Sequence, residues 1–141
     1  MAMKINEDLQ LPSLNKSILS AITDATEIDS YGSNPNGSYL KLKNGIMIQW
    51  GQQDLGNQTF TTDWWGFMKR SGSEFLRATF PLSFTEVPYC VINPMANAAI
   101  PMPSGTSATK TQTQTFGMVS PPSATASRHI YCSFIAIGKW K

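Results

Sequence analysis

His129 is the only histidine in the chain, so charge-relay or cysteine–histidine chemistry would have to run through it. It stands beside Arg128, which disfavours an imidazolium, and it opens a β-forming run. That setting suits a strand-end histidine better than a general base. The acids offer no obvious alternative. Asp54, Asp63, Glu74 and Glu86 lie far apart, and a carboxylate pair for glycoside cleavage would have to be assembled by the fold. One His and two Cys give no chelating spacing, and no glycine-rich phosphate loop is present. The expected catalytic set is empty, with no metal, no cofactor and no enzymatic role.

Binding has more to draw on. The run TDWWGFM places Trp64, Trp65 and Phe67 within one short stretch. Adjacent residues of a strand face opposite sides, so the two indoles cannot share one core. An exposed indole is a flat apolar platform with one N–H donor, suited to stacking on a sugar face. The plainer alternative puts one tryptophan in the core and the other in a subunit interface. Trp50 ends a hairpin strand and reads as structural, while Trp140 fits either an interface or the surface. Two long loops complete the candidate site: residues 94–108, with Met102 and Ser104, and residues 120–128, ending at Arg128. Long irregular loops on a rigid scaffold are where recognition usually sits.

These groups must be positioned by a chain with few charges. Of 141 residues, 14% are charged and 41% apolar, against roughly a quarter charged in an average domain. The difference is made up by 15 Ser, 13 Thr, 8 Asn and 7 Gln, a surface suited to a β-rich particle. A net charge of +2 from scattered Lys and Arg leaves no footprint for a polyanion, so no nucleic-acid partner is expected. The opening MAMKINEDLQ carries Lys4, but Asn6, Glu7 and Asp8 interrupt any apolar core, so no secretion signal is expected. No run approaches the ~20 apolar residues of a membrane span, and no membrane insertion is expected. Cys90 and Cys132 both fall in predicted strands and read as buried free thiols.

Residues 11–25 carry the one helical pattern, with Leu11, Leu14, Ile18, Ala21 and Ala25 on a single stripe. Ser30 to Gly37 is dense in turn formers and reads as a linker. A short helical segment and linker are therefore expected over 1–36, and a β domain over 37–141. Within the latter, Ser38–Leu42 and Ile46–Trp50 flank Lys43-Asn44-Gly45, and Asn-Gly supplies the positive φ of a tight hairpin. Further strands are predicted at 75–80, at 89–93 between two prolines, at 109–119 with threonines at period 2, and at 129–137. The last is apolar on both faces, hence central or covered on both sides. About six antiparallel strands with turn signals between them predict an all-β fold, an antiparallel β-sandwich.

The stretch NGSYLKLKNGIMIQWG over residues 36–51 resembles the opening of the C-terminal tip domain of phage tail fibres, the gp53-like family. FPLSF at 80–84, with a Pro between two inward aromatics, and the closing IYCSFIAIGKWK are similar to later motifs of that family. The resemblance implies the distal receptor-binding domain of a phage or prophage tail fibre, made in the host cytoplasm and carried at the tip of the virion's tail fibre. Implied partners are the rest of the fibre, two further copies in a homotrimer, and a host cell-surface polysaccharide or other surface receptor. Receptor contact is then expected at Trp64, Trp65, Phe67, Met102, Ser104 and Arg128. The alternatives are a fibre-tip glycan depolymerase, a purely structural trimerisation domain, and a bacterial carbohydrate-binding module.

Overall fold

In a computed structural model, residues 27–64, 67–70, 75–97, 99–103, 106–120 and 127–141 are described. Among them the chain is all-β and antiparallel, with no helix. The stripe from Leu11 to Ala25 lies outside the described residues.

The hairpin forms where the Asn-Gly pair predicts it. Gly45 has φ +93°, its N–H donates to Leu42 O at 3.0 Å, and Asn44 Oδ1 accepts from Ile46 N at 2.9 Å. The strands β2 (Gly37–Leu42) and β3 (Ile46–Trp64) then pair with Leu40 opposite Ile48 and Ser38 opposite Trp50. The preceding segment corrects the expected linker. Ile28–Asn34 is a strand, β1, paired with β2 from Tyr31↔Leu40 to Asn34↔Gly37. Its turn formers are concentrated where the chain reverses: Asn34 Oδ1 accepts from Asn36 N at 2.9 Å, and Gly37 has φ +137°. The sheet thus begins ahead of residue 37.

β3 is long enough to serve two sheets. Its first part lies between β2 and β8 (Ser127–Lys139), and β8 also pairs with β5 (Tyr89–Ala96), giving the order β1-β2-β3-β8-β5. A bulge between Asp54 and Asn57 interrupts the β3–β8 ladder, at Gly56 with φ +73°. Such bulges re-aim a strand. Beyond it β3 pairs with β4 (Phe67–Arg70), β4 with β7 (Phe116–Ser120), and β7 with β6 (Ile100–Pro103). Among the described residues there are eight strands, against the about six expected. The prediction at 89–93 ends too soon, since β5 runs through Pro94. Among the described residues only β8 pairs with β5, and a proline's missing N–H is tolerated on an edge strand.

The core lies between the first sheet and an irregular strap over 75–88. Met47, Ile130, Cys132, Phe134 and Ala136 face Ala78, Phe80, Phe84, Phe116 and Met118, all buried. Phe80 meets Phe84 edge-on at 5.3 Å and Phe134 at 5.5 Å, so the two aromatics of FPLSF point inward as expected. Each buried Phe contributes about 2–3 kcal/mol by area. The strap itself is not a ladder strand, in contrast to the prediction at 75–80; it touches its neighbour through bridges at Leu76 and Thr79.

Side chains complete its hydrogen bonding instead. Gln49, fully buried, accepts from Leu82 N at 2.8 Å and donates to Leu82 O at 2.9 Å. Gln53 accepts from Thr79 N at 2.9 Å and donates to Thr79 O. Thr113 Oγ1 accepts from Ala78 N at 3.0 Å. Thr113 is therefore buried, Thr115 is buried against Thr106, and the regular strand starts only at Phe116. Trp140 is also structural: its Nε1 donates to Leu42 O at 3.0 Å, and its backbone N donates to Gly45 O at 3.0 Å.

Cys90 and Cys132 are free. Cys90 lies opposite Ala136 and Cys132 opposite Pro94. That offset of four residues, about 13 Å along the strands, exceeds the ~7 Å Cα separation a disulfide can span. Reductant should leave the melting temperature unchanged; a fall of several degrees would contradict this register. Burial pushes the Cys90 thiol from 9.0 to about 11. Burial, and secondarily Cys90, pushes the Cys132 thiol to about 12. The folded state then holds protons that the unfolded chain releases above pH 9. This contribution is intact below pH 9 and is lost as pH rises toward 11–12, which denaturant melts across that range should show.

Candidate functional site

The backbone of the tryptophan segment ends a hairpin. Trp64 is paired with Phe67, and Asp63 with Met68, at the end of the β3–β4 ladder; Trp65 lies outside the described residues. β4 then meets β7 through Met68↔Ser120, so the start of the 120–128 segment adjoins this hairpin. That segment rejoins β3 at Ser127↔Thr59 and Arg128↔Gln58. The described ends of that segment are thereby held against β4 at Ser120 and against β3 at Ser127 and Arg128.

The third part is elsewhere. Met102 pairs with Gly117, three residues back along β7 from Ser120, or about 10 Å at strand rise. Ser104 follows β6 outside the described residues. Met102 instead lines an open groove of about 310 Å³ with Ile92, Pro94, Pro101, Gln114 and Phe116. Gln114 fixes one wall by donating from Nε2 to Cys90 O at 3.2 Å. The groove can hold an apolar group and offers few polar ones to orient a ligand. Only the prolines hint at it in sequence, because its walls come from three separate segments.

Arg128 is half-buried beside a polar cluster at the β3 bulge. His129 Nδ1 lies 3.1 Å from Asn57 Oδ1, and its Nε2 lies 2.5 Å from Asp54 Oδ1. The second is a charge contact when the imidazole is protonated; its angle does not make an aligned hydrogen bond. Tyr131 packs on the ring at 4.8 Å between centroids. The imidazole's neighbours are a carboxylate, an amide and a phenol ring, so the cluster ties the bulge to β8. Glu86 pairs with Lys139 at 3.2 Å, an exposed contact of the kind worth about 1 kcal/mol or less. Among the described residues no three of His, Cys, Asp or Glu are grouped to hold a metal ion. No helix among them is long and apolar enough to cross a membrane.

Comparison with known structures bears on the architecture. An N-truncated R1-type pyocin tail fibre matches with a TM-score of 0.52 at 14% identity, over 87% of this chain and 94% of that one. The fold is shared with a tail fibre. A second match, the C-terminal part of a P. aeruginosa R1 pyocin fibre, has a TM-score of 0.46 at 14% identity, over 77% of this chain and 27% of that one. No protein-family profile matches the chain, and no curated protein matches it. The resemblance to gp53-like tip domains thus gains a tail fibre fold in common, without a family assignment.

Proposed function

We propose that this chain is the distal adhesion domain of a phage or phage-derived tail fibre, acting without catalysis, as a homotrimer, on a host cell-surface polysaccharide or other surface receptor. The observation that carries the reading is the fold in common with an R1-type pyocin tail fibre over 87% of the chain. The β framework, tied to its strap by the buried Gln49 and by Gln53, supports it as a rigid carrier for recognition loops. The favoured contact region is the hairpin end at Trp64, Trp65 and Phe67 with the adjoining 120–128 segment and Arg128. Met102 and Ser104 form a separate, secondary candidate.

Weak sites held on one particle gain by avidity. Losing a stacking platform that contributes about 1 kcal/mol would be compounded across three sites. Trp64→Ala and Trp65→Ala should therefore each cut binding of the purified protein to receptor-bearing cells by roughly 100-fold or more, with far-UV circular dichroism unchanged. Folded variants that bind as the parent does would move the site away from the hairpin. Variants that do not fold would assign the tryptophans to the scaffold.

A further inference from the structure

The first sheet buries one face and leaves the other in water. Along β8, Ile130, Cys132, Phe134 and Ala136 are buried, while Ile135 and Ile137 between them remain 46% and 45% exposed. Along β3, Met47 and Gln49 are buried and Trp50 is 43% exposed. Register joins these outward residues into two adjacent rows. One crosses all five strands as Tyr31, Leu40, Ile48, Ile137 and Tyr89; the next runs Trp50, Ile135 and Val91. Neither row contains a charge. Tyr89 is 90% exposed, Tyr31 78% and Val91 68%.

We propose that this outer face is the surface through which copies of the chain pack against one another. The inference rests on the self-association in the reading above and is independent of the receptor site. At about 200 Å² for a large side chain, the exposures leave on the order of 700 Å² of apolar surface across the rows. That exceeds the ~300–600 Å² of the largest patch on a typical monomer and approaches one partner's share, ~800 Å², of a standard interface. The surroundings fit as well. A polar row, Gln52–Ser133–Asn93, borders the patch on one side, and the Lys139–Glu86 pair on the other. An apolar centre with a polar rim is the anatomy of a subunit interface. A patch with no charge has nothing to select a different partner electrostatically, and charge-poor apolar centres mark packing between identical subunits. β8, apolar on both faces, is then covered on both, as a central strand of that pattern requires.

The test is Tyr89→Lys with Val91→Lys, both on the edge strand and outside the protomer's core. Light scattering should give the 141-residue parent a mass that is a multiple of 15.5 kDa, and the variant a single protomer with an unchanged β spectrum. A multimeric variant would overturn this face while leaving self-association standing. A monomeric parent would overturn both. If the variant does not fold, tyrosine nitration of the parent decides: Tyr89 and Tyr31 protected in the multimer support the proposal, and both nitrated freely overturn it. A monomeric parent whose two tyrosines become protected only on receptor-bearing cells would give the face to the receptor instead.

Discussion

Gly37→Ala should destabilise the domain by about 3–4 kcal/mol, the sum of a positive-φ penalty and a steric one. Gly37 opens β2 at φ +137°, and a Cβ there would lie 2.4 Å from Trp50 O and 3.1 Å from Gly51 Cα. The crowding is mutual, because a Cβ on Gly51 would lie 2.8 Å from Asn36 O and 3.0 Å from Gly37 Cα. Both obstacles are backbone in the central hairpin, so neither can swing aside. Gly56 is the internal control: it also has positive φ, +73°, but nothing lies within 4 Å of its would-be Cβ. Gly56→Ala should therefore cost only the conformational part, about 1–2 kcal/mol. Urea melts of the two variants separate the terms, and equal losses would show that the close approach does not matter.

Gln49→Leu keeps roughly the same volume and removes both hydrogen bonds to Leu82. The N–H and C=O of Leu82 then face an apolar side chain at a part-buried position. Each such group costs about 1–3 kcal/mol, so a loss of roughly 2–4 kcal/mol is expected in urea melts. Gln49→Glu tests the donor half. Its carboxylate can accept from Leu82 N but cannot donate to Leu82 O until it is protonated. Because burial raises the pKa of such a carboxyl, that variant should regain stability as pH falls from 7 toward 4. A Gln49→Leu protein as stable as its parent would mean that the strap is held by packing alone.

The hairpin and the strap differ in how far sequence was a sufficient guide. The Asn44-Gly45 turn and the strands beside it were legible because turn chemistry and period-2 patterning act within a few residues. The inward aromatics of FPLSF were expected from the resemblance to tail fibre tips rather than from local patterning. Gln49 was not. Between Met47 and Gly51 it reads as an ordinary polar residue of a half-buried strand, since its partner is the backbone of an irregular segment more than thirty residues away. Thr113 and Thr115 misled similarly, since alternating threonines suit a wet strand face until the strap supplies a buried N–H for one of them. β1 was hidden by its own turn residues, and Trp50 proved to be outward-facing. For the candidate site, sequence named the segments but could not say which would adjoin. That depended on β4 pairing with β7, which placed the tryptophan hairpin's β4 beside Ser120 and Met102 farther back along β7.

One consequence of the strand order concerns time. β8 fills the middle of the first sheet, between β3 and β5, and its pair Ile48↔Ile137 spans roughly 90 residues of chain. While a ribosome is still making residues 97–126, the β1-β2-β3 hairpins and the β5 segment exist as two pieces with open edges and half-made apolar faces. Nothing in the nascent chain can yet join them. Local hairpins can form early, but the sheet closes only after synthesis passes Lys139. Until then each nascent copy carries the kind of unpaired edge that invites strand exchange with a neighbour on the same messenger.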